Sequence, residues 1–292
     1  MQKKLFIIGN GFDIGNKLHT SFDYFSKVLA RLSPDGGFIW DLYQTNKIFE
    51  LDKDNKIDRT TGIWSDFENL LAKPNFESID NIFINFDYGY RPKSDIPHYS
   101  ESFKIINTAL ELFAQEAINQ IPNLDPNEKY ITKFGDNALF INFNYTSTLE
   151  DLYHINADNI LHIHGALNHK PLIFGYPISD KEDDFSPEEY TKPRMIDYEE
   201  KRKGLENLKN YFESLYKEYD TKKLGNFISD MDILEIEMIG HAYKVDFAYF
   251  DYLHKLFPEA HWILNWFSDS DRENALKFKK KFGLNAELKR LK

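Results

Sequence analysis

Two histidines one residue apart, His162 and His164, followed at once by Gly165, are the side chains of this chain best suited to moving a proton near neutral pH. In an extended segment the alternation of side chains puts both rings on one face, and the glycine lets a ligand come close to His164. Three readings stand open at this point: metal ligands, a general base, or histidines satisfied by hydrogen bonds. A His-x-His pair without a nearby cysteine or a carboxylate at fixed spacing is a poor metal signature, so no metal is expected. A second group is Asn142-Phe143-Asn144-Tyr145-Thr146. Asn144 can donate to and accept from a sugar hydroxyl or a water, or it can serve only to shape a turn.

Two glycine turns accompany these side chains. Gly9-Asn10-Gly11-Phe12-Asp13-Ile14-Gly15 would bring backbone amides close to a phosphate or a ribose. It departs from the dinucleotide fingerprint G-x-G-x-x-G, because the third glycine comes one residue late and Asp13 puts a negative charge where a pyrophosphate would lie. A plain strand-to-helix turn is therefore the competing reading. Gly240-His241, with Asp246 five residues on, has the same form. It is a nucleotide-binding turn on one reading, and a loop histidine followed by a helix N-cap on the other. In Trp64-Ser65-Asp66-Phe67-Glu68 the two carboxylates sit at i and i+2, which point apart on a helix. That spacing favours the start of an amphipathic helix over acid–base work.

Those residues need a scaffold, and the apolar pattern supplies one. Residues 5–8 form a short apolar run that stops at Gly9, as a buried parallel strand does before a tight turn. Helical spacing of Phe22, Phe25, Val28, Leu29 and Leu32 predicts a helix over 20–32 with Thr20 as its cap. Residues 137–142 read as another buried strand, followed by a helix opening on a capping box of Ser147 and Glu150. Short strands are expected at 160–163 and 171–174, longer ones at 233–239 and 261–266, with helices at 246–257 and 271–282. Strand–helix alternation at both ends predicts an α/β fold: a doubly wound, mostly parallel, Rossmann-like sheet in a single domain over 1–292. Helical insertions are expected at about 50–135 and 176–232, with helical patterns at 63–71, 99–121 and 198–219. Aromatic stretches such as 83–90 and 198–219 read as core rather than subunit contacts.

The chain has 292 residues, of which 42% are hydrophobic, 16% aromatic and 28% charged, a composition that folds into a globular protein. It has no cysteine, which removes disulfides, thiolate nucleophiles, iron–sulfur clusters and Cys-ligated zinc, and makes the cytoplasm the expected compartment. Lys and Arg number 36 against 47 Asp and Glu, a net charge of −11 that disfavours nucleic acid and anionic lipid as partners. The first residues place two lysines before an apolar run, but Asn10 and Asp13 interrupt it too early for a secretory signal. No stretch reaches the roughly 20 apolar residues of a membrane span, so no membrane partner is expected.

Taken in order, these motifs resemble the abortive-infection AbiH proteins of bacterial anti-phage defence. The likeness rests on Asn10-Gly11-Phe12-Asp13 with Leu18, Thr20, Phe22 and Phe25, then Trp64-x-Asp66-Phe67-Glu68, Asn142-Phe143-Asn144-Tyr145-Thr146, His164-Gly165 and Gly240-His241 with Asp246. It runs from residue 3 to about 250. AbiH proteins are in turn similar to sirtuin-like NAD-consuming domains, which have a doubly wound nucleotide-binding sheet, a glycine turn, an asparagine after a central strand and a His-Gly pair. In that resemblance Asn144 matches the asparagine, His164 the histidine, and Gly9 and Gly11 the glycine turn. This chain lacks the four zinc-binding cysteines, carries Asp13 where the first turn has a small residue or serine, and has Thr146 where an aspartate is common. These departures disfavour protein deacylation and leave nucleotide hydrolysis open.

The resemblance thus implies an anti-phage effector that binds NAD⁺ as its substrate and cleaves the nicotinamide–ribose bond. Asn144 and His164 are its expected catalytic residues, and Gly9, Asn10, Gly11, Asp13, Gly240, His241 and Asp246 its expected nucleotide-binding residues. Implied partners are a small-molecule nucleotide, a phage-derived trigger and further copies of the chain. A defence sensor that acts through assembly without chemistry is the main alternative. A metal-dependent phosphohydrolase using His162 and His164 is a third.

Overall fold

The apolar runs that end in glycine turns become parallel strands of one sheet. In the computed structural model, residues 2–32, 105–135, 137–168, 170–177 and 213–291 are described, with a few helical positions between 203 and 210. The strands are β1 (Gln2–Ile8), β2 (Ala138–Asn142), β3 (Ile160–His162), β6 (Asp232–Ile239), β7 (His261–Trp266) and β8 (Ala286–Arg290). A separate two-strand pair joins β4 (Tyr176–Pro177) to β5 (Tyr216–Lys217). The six-stranded sheet runs β3-β2-β1-β6-β7-β8 with every neighbouring pair parallel. Counting those six strands alone, the order is 3-2-1-4-5-6, the doubly wound arrangement whose direction reverses between β1 and β6. Ligands of such sheets bind outside the carboxyl ends of the strands at that reversal.

Both faces of the sheet are covered, which is why β1 reads as a continuous apolar run rather than an alternating one. Leu5 and Ile7 belong to a core with residues of α5 (Thr221–Ile228), α6 (Phe247–Leu256) and α7 (Asp269–Phe282). Phe6 and Ile8 face the other side, among Phe12 of α1 (Asn10–Gly15), residues of α4 (Glu128–Phe134), and Tyr153. On that second face the rings of Phe6, Phe12, Tyr130, Phe134, Phe140 and Tyr153 form edge-to-face and tilted contacts, with Phe134 at 5.0 Å from Phe6 and 4.9 Å from Phe140. The cluster anchors Phe12, and Phe12 holds its neighbour Asp13 at the end of β1.

Glu237 of β6 is fully buried, yet its charge is neutralised on the spot. Lys4 of β1 stands 2.8 Å from one carboxylate oxygen, Lys133 of α4 also contacts the carboxylate, and Asn265 of β7 donates to it at 2.8 Å.

The chain divides into two compact units: residues 1–20, 114–173 and 219–292 form one, and 21–113 with 174–218 the other. The first contains the sheet. Residues 114–135 and 219–232, counted with the insertions in the sequence, therefore lie with the sheet. The second unit includes α2 (Phe22–Leu32), most of α3 (Ile105–Ile118) and the β4–β5 pair.

Several local expectations are corrected. Ser21, not Thr20, supplies the cap of α2, its hydroxyl accepting from the Tyr24 amide at 3.2 Å, while the Thr20 carbonyl is taken by the Asn10 side chain. The Ser147–Glu150 capping box does not form: the Ser147 hydroxyl turns to Asp151, Glu150 is drawn to His162, and residues 148–152 make one wide helical turn. No strand forms at 171–174, where the Ile173 amide instead donates to the His164 carbonyl at 2.7 Å. The helix expected over 198–219 gives way to β5 at Tyr216–Lys217, and most of its earlier part lies outside the described residues. Outside them too lie the pattern at 63–71, the Trp64–Glu68 motif and the stretch 83–90. Elements that the pattern did not single out include α4, capped by Asn127, α5, capped by Asp220, and the polar edge strand β8.

Candidate functional site

The carboxyl ends of β1 and β6 are joined through their turns. Gly9 donates its amide to the Ile239 carbonyl at 3.0 Å, and Gly11 donates to the Gly240 carbonyl at 2.8 Å. A β-carbon on Gly9 would stand 2.5 Å from the His241 Cα, and one on Gly240, whose φ is +70°, would stand 2.2 Å from the Phe12 nitrogen. These glycines let two strand-end turns press backbone against backbone, and the amides of Gly9 and Gly11 are spent in doing so. Asn10 braces the same turn by donating its side chain to the Thr20 carbonyl at 2.6 Å.

Asp13, only 1% exposed, lies in this turn with its carboxylate in a cradle of hydroxyls. Thr146 donates to Oδ2 at 2.6 Å and Thr148 to Oδ1 at 2.8 Å. The side chain of Asn144 and the nearby His162 also favour its charged form. Burial outweighs all of them and pushes the carboxyl up from 3.8 to about 6.

Asn144 follows β2 and is buried. Its backbone amide donates to the Asn142 side chain at 3.0 Å, and its side-chain nitrogen donates to the Gly9 carbonyl at 3.2 Å. The loop after β2 is thereby tied to the turn after β1. From the other side, His162 Nδ1 lies 3.3 Å from the Asn144 carbonyl, and His162 Nε2 lies 2.7 Å from Glu150. Lys223 of α5 donates to the His162 carbonyl at 2.8 Å.

His164, just beyond β3, takes a different carboxylate. Its Nε2 is 3.3 Å from one oxygen of Asp246, and Nε2 of His241 is 3.3 Å from the other. All three residues are buried. The Phe143 ring meets both imidazoles edge to face, with centroids 5.0 Å from His164 and 4.5 Å from His241. Asp246 occupies the position before α6 but is not its cap. Its backbone is left-handed, with φ +62°, and its side chain makes no capping bond, because the carboxylate faces the two histidines instead.

The expected common face for His162 and His164 is also corrected. Strand β3 stops at His162, so alternation does not reach His164, and the two rings serve separate carboxylates, Glu150 and Asp246. Among the described residues no group of three or more His, Asp or Glu side chains is arranged to hold a metal ion.

Of the residues singled out in the sequence, Asp13, Asn144, His164, His241 and Asp246 are all buried at the carboxyl ends of β1, β2, β3 and β6, beside the reversal of the sheet. Sequence reasoning missed the roles of Phe143, Thr146, Thr148 and Glu150. Thr146, the last residue of the Asn142–Thr146 group and a departure from an aspartate in the resemblance, gives its hydroxyl to the carboxylate of Asp13, supplied from another strand. Glu150 was hidden by its resemblance to a capping residue.

A buried histidine beside a carboxylate, on a sheet edge that also carries an asparagine tied to the β1 turn, supplies groups able to orient a water or hydroxyl and accept its proton. The Asp246 carboxylate, 3.3 Å from Nε2 of His164, would stabilise the imidazolium once the ring takes up a proton.

The family model described as Bacteriophage abortive infection AbiH covers residues 5–266. No curated protein and no solved structure matches. No helix among the described residues is long and apolar enough to cross a membrane.

Proposed function

The chain belongs to the bacteriophage abortive infection AbiH family, which implies a role in phage abortive-infection defence, and from that premise we propose that it acts by hydrolysing NAD⁺ at the nicotinamide–ribose bond. The observation that carries this reading is the pairing of His164 with Asp246, and the bracing of Asn144, at adjacent strand ends beside the reversal of the sheet. Such an edge is where nucleotides meet doubly wound sheets.

The chemistry makes modest demands on the protein. As the C–N bond breaks, its electron pair returns to the pyridine nitrogen, so nicotinamide leaves neutral and needs no acid. The ribose carbon becomes oxocarbenium-like, and a water adds to it while giving up a proton. Asn144 orients the ribose or the water, and His164 takes the proton. Asp246 holds the ring of His164 and stabilises the imidazolium that forms, which makes it a positioning residue. The products are nicotinamide, ADP-ribose and one proton. In this reading Gly9, Asn10, Gly11, Gly240 and His241 form the wall on the nucleotide side, with NAD⁺ entering as substrate rather than resident cofactor.

A second reading has its own support. The Gly9 and Gly11 amides are already engaged and Asp13 adds negative charge, so the first turn is a poor seat for a pyrophosphate. That favours a sensor that signals by assembly without chemistry. Calorimetry with NAD⁺ and ADP-ribose, run beside product chromatography, separates the two. Nicotinamide release that is lost in His164→Ala supports the enzyme, whereas binding without products supports the sensor.

A further inference from the structure

The side-chain amide of Asn144 fits its surroundings in one orientation only. Its nitrogen donates to the Gly9 carbonyl at 3.2 Å, and the side chain also favours the charged form of the nearby Asp13 carboxylate; both of those groups are acceptors. An amide turned the other way would set its oxygen against two acceptors, a repulsion that a site 94% buried could not relieve with water. The amide is planar, so drawing the nitrogen toward the turn after β1 sends Oδ1 the opposite way.

We propose that Asp13, braced by Thr146 and Thr148, is a positioning residue that holds the Asn144 amide nitrogen against the β1 turn and so presents Oδ1 as the acceptor for a ribose hydroxyl or the attacking water. This rests on the NAD⁺ reading for its consequence in turnover, but not for the orientation itself. The two threonine hydroxyls lie 3.0 Å from each other and each donates to a different oxygen of Asp13. The carboxylate is thus fixed in rotation, with no lysine or arginine among the described groups acting on it. Its full burial and engaged oxygens suit a group that works through Asn144 rather than one that meets substrate directly.

Protonation of Asp13 turns an acceptor into a donor and loosens the hold on the amide. The groups facing it are Thr146, Thr148 and Asn144 from the loop after β2, His162 from β3, and the phenol of Tyr153, which senses its charge. The carboxyl titrates at about 6, so the orientation should relax as the pH falls through that value.

The test uses the full ¹⁵N-labelled chain, with the Asn144 side-chain amide identified by its disappearance in Asn144→Ala. In the wild type that amide pair should exchange slowly with solvent and shift with a midpoint near pH 6. Asp13→Asn should abolish both features and lower kcat for NAD⁺ by about 100-fold with KM within about twofold, as expected for lost orientation rather than lost binding. Thr148→Val should lower kcat by about 10-fold and Thr148→Ser should restore it, a pair that carries the test if Asp13→Asn folds poorly. Persistence of the protected, titrating amide in Asp13→Asn, or an unchanged kcat, overturns the proposal. A protected amide that titrates in the wild type and is lost in Asp13→Asn, in a protein that releases no nicotinamide, leaves the orientation standing and removes the NAD⁺ reading.

Discussion

Glu237 and Asp13 are both fully buried carboxylates of the sheet unit, on neighbouring strands or their ends, yet they are held in opposite ways. Glu237 sits within β6 beside Lys4 and Lys133 and accepts from Asn265, and although burial alone would raise its carboxyl, those partners bring it below the ordinary value of 4.5. Asp13 sits just past the end of β1, has hydroxyl and amide donors but no lysine or arginine among the groups acting on it, and is pushed up to about 6. The first arrangement makes a buried charge tolerable and serves stability. The second leaves a charge costly to the fold, which is the usual state of a group retained for function. Position in the sheet separates the two: the middle of a strand is scaffold, and its carboxyl end is site.

The largest expected effect lies at the site end. His164→Ala and Asn144→Ala should each cut nicotinamide release by about a thousandfold or more while circular dichroism shows the fold retained. A parallel loss of fold in both would blur the distinction between site and scaffold. At the scaffold end, Glu237→Gln should cost about 3–5 kcal/mol in denaturant unfolding, because Lys133 is left without its anion, while turnover per folded molecule holds. The contribution of Glu237 is present above pH 4.5 and fades as the pH falls through its lower folded value, so the variant and the wild type should converge in acid.

Asp13→Asn should move stability the other way. A carboxyl held at about 6 rather than 3.8 costs the folded state about 3 kcal/mol once ionised. That cost is absent below pH 3.8, grows as the pH rises toward 6, and is complete above it. The variant should therefore match the wild type in acid and gain up to about 3 kcal/mol at pH 8, less whatever the threonine hydroxyls lose. Thermal melts at pH 4, 6 and 8 give the curve; equal stability at pH 8 would show that Asp13 bears no such cost. Smallest of all, Ser268→Ala removes the capping box of α7, far along the sheet, and should cost about 1 kcal/mol without touching turnover.

The scaffold was legible because burial on both faces leaves a plain mark: Leu5 to Ile8, Ala138 to Ile141 and Trp262 to Leu264 are apolar runs that end at Gly9, Asn142 and Asn265. The short polar β8 escaped notice, since an edge strand needs no such run. Within the site, single residues were legible and their partners were not. His164, Asn144, Asp13 and Asp246 stand out by type and place, but the pairing of His164 with Asp246 joins positions 82 apart, and that of Asp13 with Thr148 positions 135 apart. Local rules even misdirected: Ser147-x-x-Glu150 has the form of a capping box, and Asp246 that of an N-cap, until β3 and β6 bring histidines to them. A side chain with a distant charged partner abandons its local role, because a buried carboxylate gains more from an imidazole than from an exposed amide.

The most direct measurement is to incubate the purified chain separately with NAD⁺, NADP⁺ and ATP, resolve nicotinamide, ADP-ribose and ADP by chromatography, and repeat with His164→Ala. The wild type should release nicotinamide and ADP-ribose in equal amounts from NAD⁺, and His164→Ala should not. Absence of nicotinamide release by the wild type, or release undiminished in the variant, would contradict it.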